Sequence, residues 1–221
     1  MELVTNIGLK SLRIFLSYAD EDKFIVGELK RLLEYRGFEV FVAHDDIKPT
    51  KIWEDEIIKN LKRCDLFIPI ISDNFKKSDW ADQETGIAFN ENKLIIPMYM
   101  DLPPYGFIHK IQGLKINKDQ LEMTANDILE IIKENEKFKN EINDFIINSF
   151  LGSLSFDQAN ARAIGLRSIT LTKEQLQRLI DGTLQNNQIR GGYTSKKIVK
   201  SLFKRYERYI EKDKFIELIG Q

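Results

Sequence analysis

Short apolar runs alternate with amphipathic segments over the first part of the chain. The runs are continuous, with few polar residues between the apolar ones, which indicates strands that are buried on both faces of a sheet. Four runs lie at 12–18, 38–43, 66–71 and 94–99, and a weaker fifth candidate lies at 111–116. The predicted helices beside them lie at 22–35, 52–62, 80–90 and 124–132. Strand–helix–strand repetition at this spacing implies right-handed crossovers and a parallel sheet, and therefore an α/β fold.

The pattern changes in the second part of the chain, where convincing strand patterns stop. Amphipathic patterns predict helices at 140–150, at 155–164, from Thr172 onward and at 195–210, with a polar loop at 185–193. Ser155 with Gln158, and Thr172 with Gln175, have the spacing of capping boxes at two of these helix starts. We therefore predict a first domain at 1–137 and an all-helical second domain at 138–221.

Charge is distributed unevenly along the chain. The 221 residues carry a net charge of −1, but residues 190–221 hold nine Lys or Arg and four Asp or Glu, so this segment carries +5 and the remainder −6. We expect the basic C-terminal helix to be a solvated face. Contact with an acidic partner or with the first domain is the next alternative, and nucleic acid is disfavoured because the aromatic residues of this helix point inward.

The cysteine count and the apolar runs bear on the compartment. A single cysteine, Cys64, excludes an internal disulfide and favours a reducing compartment. No apolar run approaches the roughly 18 residues that a membrane span needs, and the N-terminal segment lacks the layout of a signal peptide. We therefore expect a cytoplasmic protein without membrane contact. The sequence also lacks the glycine-rich phosphate loops that are typical of dinucleotide oxidoreductases and NTPases.

Four segments occur in the order and spacing of one known family. They read Arg13-Ile-Phe-Leu-Ser-Tyr-Ala-Asp-Glu-Asp22 at the first strand, His44-Asp-Asp-Ile-Lys-Pro-Thr50 followed by Trp53 after the second, Cys64-Asp-Leu-Phe-Ile-Pro-Ile-Ile-Ser-Asp-Asn-Phe75 at the third, and Trp80-Ala-Asp-Gln-Glu84 in the next helix. Together they resemble TIR domains, named for Toll and interleukin receptors. The last segment is similar to the W-x-x-x-E signature of the microbial, NAD⁺-consuming branch of that family.

The resemblance implies a flavodoxin-like, five-stranded parallel sheet in the order 2-1-3-4-5, flanked by helices, to which the C-terminal helical region is added. It also implies that NAD⁺ is the substrate and that Glu84 is the catalytic residue. Many enzymes of the family have an acidic residue directly after the second strand, where Ala43 stands here. We expect His44, Asp45 and Asp46 to take over its role in this loop.

The candidate binding residues come from one edge of the predicted sheet, because ligands of open α/β sheets bind beyond the carboxyl ends of the strands. They are Ser17 and Tyr18 after the first strand, His44, Asp45 and Asp46 after the second, and Trp53 and Trp80 beside them. Trp80 and Glu84 are four residues apart and therefore on one helix face, where a ring and a carboxylate can grip a ribose and its neighbouring ring. The spacing of the histidine and the two aspartates is poor for a metal, and we expect neither a metal nor a cofactor apart from NAD⁺ as the substrate.

One carboxylate is sufficient for cleavage of NAD⁺. Ordinary glycosidases need two carboxyl groups, because the leaving oxygen must be protonated. The nicotinamide of NAD⁺ is already cationic and leaves as a neutral molecule, so no general acid is required. A fixed carboxylate can stabilise the oxocarbenium-like charge electrostatically. The acceptor then determines the product, since water gives ADP-ribose and a group of the same molecule gives a cyclic isomer.

These considerations favour an NAD⁺ glycohydrolase or cyclase. The resemblance extends to the signal-producing component of Thoeris-like anti-phage defence, in which a small-molecule product reaches a separate effector, and it implies self-association through the TIR domain. The rival hypothesis is a non-catalytic TIR module that acts by docking to other TIR domains. A nucleoside deoxyribosyltransferase-like enzyme is a third possibility, disfavoured by the loop after the second strand and by the W-x-x-x-E match.

Overall fold

The computed structural model describes residues 11–42 and 53–220. The chain separates into two compact units. One comprises residues 11–34 and 38–128, and the other comprises residues 35–37 and the helical segment from 129 onward. The predicted domain boundary at residue 137 stays a prediction.

The first unit is built on a parallel sheet. Its strands are β1 (Arg13–Ser17), β2 (Glu39–Val42), β3 (Leu66–Ile71), β4 (Leu94–Ile95), β5 (Met98–Tyr99) and β6 (Leu114–Lys115). Every strand pairing is parallel, and the order is β2-β1-β3-β5-β6, with β4 also paired to β3. Because β4 and β5 are two halves of the predicted fourth strand, the sheet has the predicted order 2-1-3-4-5. The α/β prediction is therefore confirmed.

Two prolines account for the division of the fourth strand. Pro97 lies between β4 and β5, and Pro69 lies on β3 between the residues that pair with them. A proline has no N–H to donate to a ladder of backbone hydrogen bonds. The two half-strands nevertheless stay on β3, since the Ile96 amide between them donates to the carbonyl of Phe67 (3.0 Å).

Four helices flank this sheet or continue from it: α1 (Lys23–Tyr35), α2 (Trp53–Arg63), α3 (Asp79–Asn90) and α4 (Leu121–Glu134). All six residues of β3 are buried, as expected for a central strand. Phe15 and Phe67 stack in the core with ring centroids 5.8 Å apart, and the α2 residues Ile57 and Leu61 are fully buried in the same cluster. This core holds the starts of α2 and α3 in fixed positions relative to β1 and β3.

The second unit is helical in the part of the chain that the structure describes. Its helices are α5 (Ile142–Leu151), α6 (Phe156–Ala163), α7 (Lys173–Gln185), α8 (Asn187–Gly191), α9 (Tyr193–Arg205) and α10 (Lys212–Gly220). The Thr172–Gln175 capping box is present in full. At the other predicted box only half forms, because the Gln158 side chain accepts from the Leu154 amide (2.9 Å) and not from that of Ser155.

Two predictions for this unit were wrong. The segment predicted as a polar loop contains α8, because the Asn186 side chain caps the helix at the Gln188 amide and Ile189 is buried. The predicted long helix ends at Arg205 and gives way to a 3₁₀ turn at Glu207–Tyr209. Among the residues that the structure describes, no helix is both long and apolar enough to cross a membrane.

Candidate active site

A cleft of about 310 Å³ opens at the carboxyl edge of the sheet. Its lining comes from the exit of β1, the turn that follows β3, the start of α2 and the first turns of α3. The lining residues are Leu16, Tyr18, Ala19, Asp20, Glu21, Trp53, Asn74, Lys77, Ser78, Trp80, Ala81 and Glu84. This is the edge at which open α/β sheets bind their ligands. The structure thus brings Tyr18, Trp53, Trp80 and Glu84, four of the predicted site residues, to one cleft.

Local capping positions the helix that carries Glu84. Ser78 precedes α3, and its hydroxyl accepts a hydrogen bond from the Ala81 amide (3.4 Å). This bond satisfies one of the amides that have no partner within the first turn of a helix. Trp80 and Ala81 both line the cleft, and Glu84 follows Trp80 by one turn on the same helix face.

Glu84 is a buried carboxyl group that accepts a hydrogen bond from a serine side chain. The side chain is 6 % exposed, and the Ser17 hydroxyl at the end of β1 donates a 2.5 Å hydrogen bond to Glu84 Oε2. Burial, which disfavours the charged form, raises the pKa of Glu84 to about 7, and the bond from Ser17 opposes this rise. The carboxyl group therefore changes its charge near neutral pH and responds strongly to any cation placed beside it.

Ser17 has a position that the sequence did not indicate. The sequence predicts that Ser17 contacts NAD⁺, but the residue is 1 % exposed and its hydroxyl is hydrogen-bonded to Glu84. Its contact with NAD⁺ stays a prediction, whereas its contact with the carboxyl group is a feature of the structure.

Two tryptophans form one wall of the cleft. The rings of Trp53 and Trp80 meet edge to face, with centroids 4.4 Å apart and planes at 85°. Both are half-buried, so each presents part of its ring to the opening. Edge-to-face pairs stabilise each other beyond their buried area. The pair therefore provides an apolar surface in the same cleft as the polar exit of β1.

The exits of β1 and β3 are joined by hydrogen bonds. Ser72 directly follows β3, and its hydroxyl donates to Asp22 Oδ2 (2.5 Å) while accepting from the Phe75 amide (3.0 Å). These bonds hold the turn that carries Asn74 and Lys77 into the lining. Sequence reasoning missed Lys77, although its place just after the third strand on the ligand edge was a signal that could have identified it.

The remaining predicted site residues, His44, Asp45 and Asp46, lie outside the described residues. Their assignment to the site stays a prediction. Among the residues that are described, no group of three His, Cys, Asp or Glu side chains is arranged to hold a metal ion.

Comparison with known proteins identifies a matching family and several similar proteins. A family model described as a TIR domain matches residues 14–129. A Methanobrevibacter olleyae protein named as a probable 2′ cyclic ADP-D-ribose synthase, TcpO, is 30 % identical over 139 residues, which are 58 % of this chain and 41 % of the relative. The 2′ cyclic ADP-D-ribose synthase BtTIR of Bacteroides thetaiotaomicron is 33 % identical over 95 residues, which are 41 % of this chain and 33 % of the relative.

The chain spans less than half the length of these curated relatives. Among solved structures, the TIR domain of the Toll-related receptor TRR-2 from Hydra magnipapillata aligns with a TM-score of 0.46 at 22 % identity, covering 55 % of this chain and 98 % of that one.

Proposed function

The chain belongs to the TIR domain family, and on that premise we propose that it cleaves the nicotinamide–ribose bond of NAD⁺ at the cleft above Glu84. The observation that carries the proposal is the buried carboxyl group that lines this cleft together with a pair of tryptophans. A carboxylate on the surface of an interaction module has no reason to be desolvated in this way, since burial of a charge is costly.

The burial of Glu84 suits the proposed reaction. A nicotinamide ring bound in the cleft brings a positive charge to the carboxyl group, and a nearby opposite charge favours the ionised form. As the bond to nicotinamide breaks, positive charge moves onto the ribose, and the carboxylate stabilises it at low local dielectric. The hydrogen bond from Ser17 holds the carboxylate in place and also favours its charged form.

The other lining residues have complementary roles in this proposal. The tryptophan pair offers an aromatic surface to the nicotinamide or ribose, as flat rings commonly do for such groups. Lys77 is exposed at the same cleft and supplies a cation for the diphosphate. Together these groups match three parts of the substrate, namely the cationic ring, the ribose attached to it and the diphosphate.

The product that we propose is a cyclic ADP-ribose-type signal, with linear ADP-ribose as the close variant. Support comes from the two relatives named as 2′ cyclic ADP-D-ribose synthases. A cyclic product requires that a group of the ADP-ribose part reach the ribose carbon before water does. We further propose that the product acts on a separate effector in an anti-phage system that resembles Thoeris, and that the TIR domain self-associates.

The experiment that tests this proposal is incubation of the purified chain with NAD⁺, followed by mass spectrometry of the products. We expect equimolar release of nicotinamide and either ADP-ribose or a cyclic ADP-ribose, which is lighter than ADP-ribose by one water because no water is added. The rival function, a non-catalytic TIR interaction module, predicts intact NAD⁺ at all protein concentrations.

A further inference from the structure

A second cleft, of about 460 Å³, lies on the C-terminal helical unit. It opens between the 3₁₀ turn Ile164–Arg167 and the helix α9 (Tyr193–Arg205). Its volume exceeds that of the candidate active site and falls within the range of small-molecule sites. The reaction proposed above makes no use of this cleft.

Three cations line the second cleft, and none of the described residues that line it carries a carboxylate. They are Arg167 at the end of the turn, and Lys197 and Arg205 on α9. Lys197, Ser201 and Arg205 follow one another at intervals of four residues along α9. Their side chains therefore share one face of the helix. No ion pair within the described residues engages any of the three cations. The positive charge of the cleft is therefore available to an external anion.

The remaining lining is suited to the other parts of a nucleotide. The hydroxyl groups of Thr194 and Ser201 can donate to phosphate oxygens, and the fork of an arginine guanidinium matches phosphate geometry. Tyr193 is 82 % exposed at the start of α9 and offers a flat ring on which a base can stack. Buried Leu166 and Leu202 give the cleft an apolar floor.

We propose that this cleft binds a nucleotide that carries a diphosphate. Three cations offset the charge of a diphosphate better than that of a single phosphate ester, and the exposed tyrosine accounts for a nucleoside beyond the phosphates. Binding at this cleft does not depend on NAD⁺ cleavage at the other one, so the two proposals can fail separately.

The test is titration of the full chain with ADP, followed by calorimetry. Charge reversal at either α9 cation, in Lys197→Glu or Arg205→Glu, should weaken ADP binding by at least about tenfold, because each variant loses a charge-assisted contact. Lys204→Glu is the matched control, since it makes the same charge change on the same helix at an exposed residue outside the lining. We expect this control to bind ADP within about twofold of the wild type, since screened surface charges contribute little.

Two further probes separate the parts of the ligand. Adenosine lacks the phosphates and should not bind at this cleft, while inorganic pyrophosphate lacks the nucleoside and should bind more weakly than ADP. Tyr193→Ala should weaken the binding of ADP and leave that of pyrophosphate unchanged. Because the candidate active site can also take up ADP, the comparison between variants locates the site, and circular dichroism confirms that each variant is folded.

Several outcomes would overturn the proposal. Equal ADP affinity in the wild type, Lys197→Glu and Arg205→Glu would exclude this cleft as the site. An equal loss of ADP affinity in Lys204→Glu would show that the effect comes from the overall charge of the helix and not from this cleft. Adenosine binding as tightly as ADP would exclude recognition of the phosphates, and pyrophosphate binding as tightly as ADP would exclude recognition of the nucleoside.

Discussion

The pairing of Glu84 with Ser17 determines when the candidate catalytic group is charged. Burial raises the pKa of this carboxyl group to about 7, and the hydrogen bond from the serine hydroxyl opposes part of that rise. The proposed reaction needs the ionised form, so its rate should fall as the pH drops through the pKa of Glu84 in the complex with substrate. The cation of the bound nicotinamide shifts that pKa downward from its value in the free protein.

Removal of the serine hydroxyl should move this pH dependence. Ser17→Ala abolishes a hydrogen bond that favours the charged form, so the pKa of Glu84 should rise and the acid limb of the kcat profile should shift to higher pH. Ser11→Ala is a matched control, because Ser11 also donates to a carboxylate, Glu39, on the surface away from the cleft. The measurement is nicotinamide release across the pH range, and an unshifted profile in Ser17→Ala would refute the positioning role.

The same burial has a consequence for stability. A carboxyl group whose folded-state pKa is raised from 4.5 to about 7 binds its proton more tightly in the folded chain than in the unfolded one. The stabilisation of the folded chain by this protonated carboxyl group is fully present below pH 4.5 and is lost as the pH rises to about 7. The loss is on the order of 3 kcal/mol in the free energy of unfolding. Glu84→Gln removes this titration, so the variant should be more stable than the wild type at about pH 8.

Denaturant unfolding at acidic and mildly alkaline pH checks this expectation. Glu91→Gln serves as the control, since Glu91 is an exposed carboxylate at the other end of α3. If the free energy of unfolding falls by the same amount in the wild type and in Glu84→Gln between the two pH values, Glu84 is not desolvated in the way the structure shows.

Contacts between individual side chains are also what the sequence predicts least well. Glu84 and Trp80 are candidates because they fit the W-x-x-x-E signature of the family, and their spacing of four residues places both side chains on one helix face. Ser17 and Glu84 are 67 positions apart, and their bond depends on how closely α3 approaches the end of β1. No local pattern encodes that distance, so the sequence suggested a ligand contact for Ser17 and missed its contact with the carboxyl group.

At the scale of elements, the two tryptophans at the starts of α2 and α3 act as one wall. Trp80→Ala removes half of this wall and exposes the edge of Trp53, so we expect KM for NAD⁺ to rise by about tenfold, the scale of a lost aromatic stacking contact. Trp80→Phe should show a smaller rise. Phe89→Ala, at an exposed aromatic residue on the same helix outside the cleft, should leave KM unchanged. An unchanged KM in Trp80→Ala would show that the tryptophan pair does not contact the substrate.

Elements with a strong apolar pattern were predictable, and those held by single contacts were not. The third strand has the predicted bounds, 66–71, because it is apolar throughout and buried at the centre of the sheet. The short helix Asn187–Gly191 has one buried apolar residue, Ile189, and depends on the Asn186 cap, so its pattern resembled a loop. The final helix, Lys212–Gly220, was not predicted, because Phe215 and Leu218 are its only buried residues among those described and its apolar pattern is short.

At the scale of the whole molecule, we expect the active form to be an assembly. The segment 44–53, which the sequence predicts to be a loop after the second strand, is charged and contains Pro49. A contact between this loop and the cleft of a neighbouring copy is heterologous and can propagate into open strings. Specific activity should then rise with protein concentration, and Asp46→Lys should reduce that rise without unfolding the monomer.

Sedimentation and activity measured over the same concentration range check this expectation. The control is Lys212→Glu, an exposed change in the C-terminal helix. A strictly monomeric enzyme with a rate per molecule that does not depend on concentration would contradict the assembly.

The proposed reaction depends above all on the charge of one buried carboxylate, and the rate of nicotinamide release from NAD⁺ by Glu84→Gln tests that dependence most directly. Glutamine keeps the shape of the side chain and loses the charge, so the rate should fall by at least about a hundredfold, the scale of a lost electrostatic stabiliser. Glu91→Gln should keep the rate of the wild type. A rate for Glu84→Gln within about threefold of the wild type, in protein with a native circular dichroism spectrum, would contradict a catalytic role for Glu84.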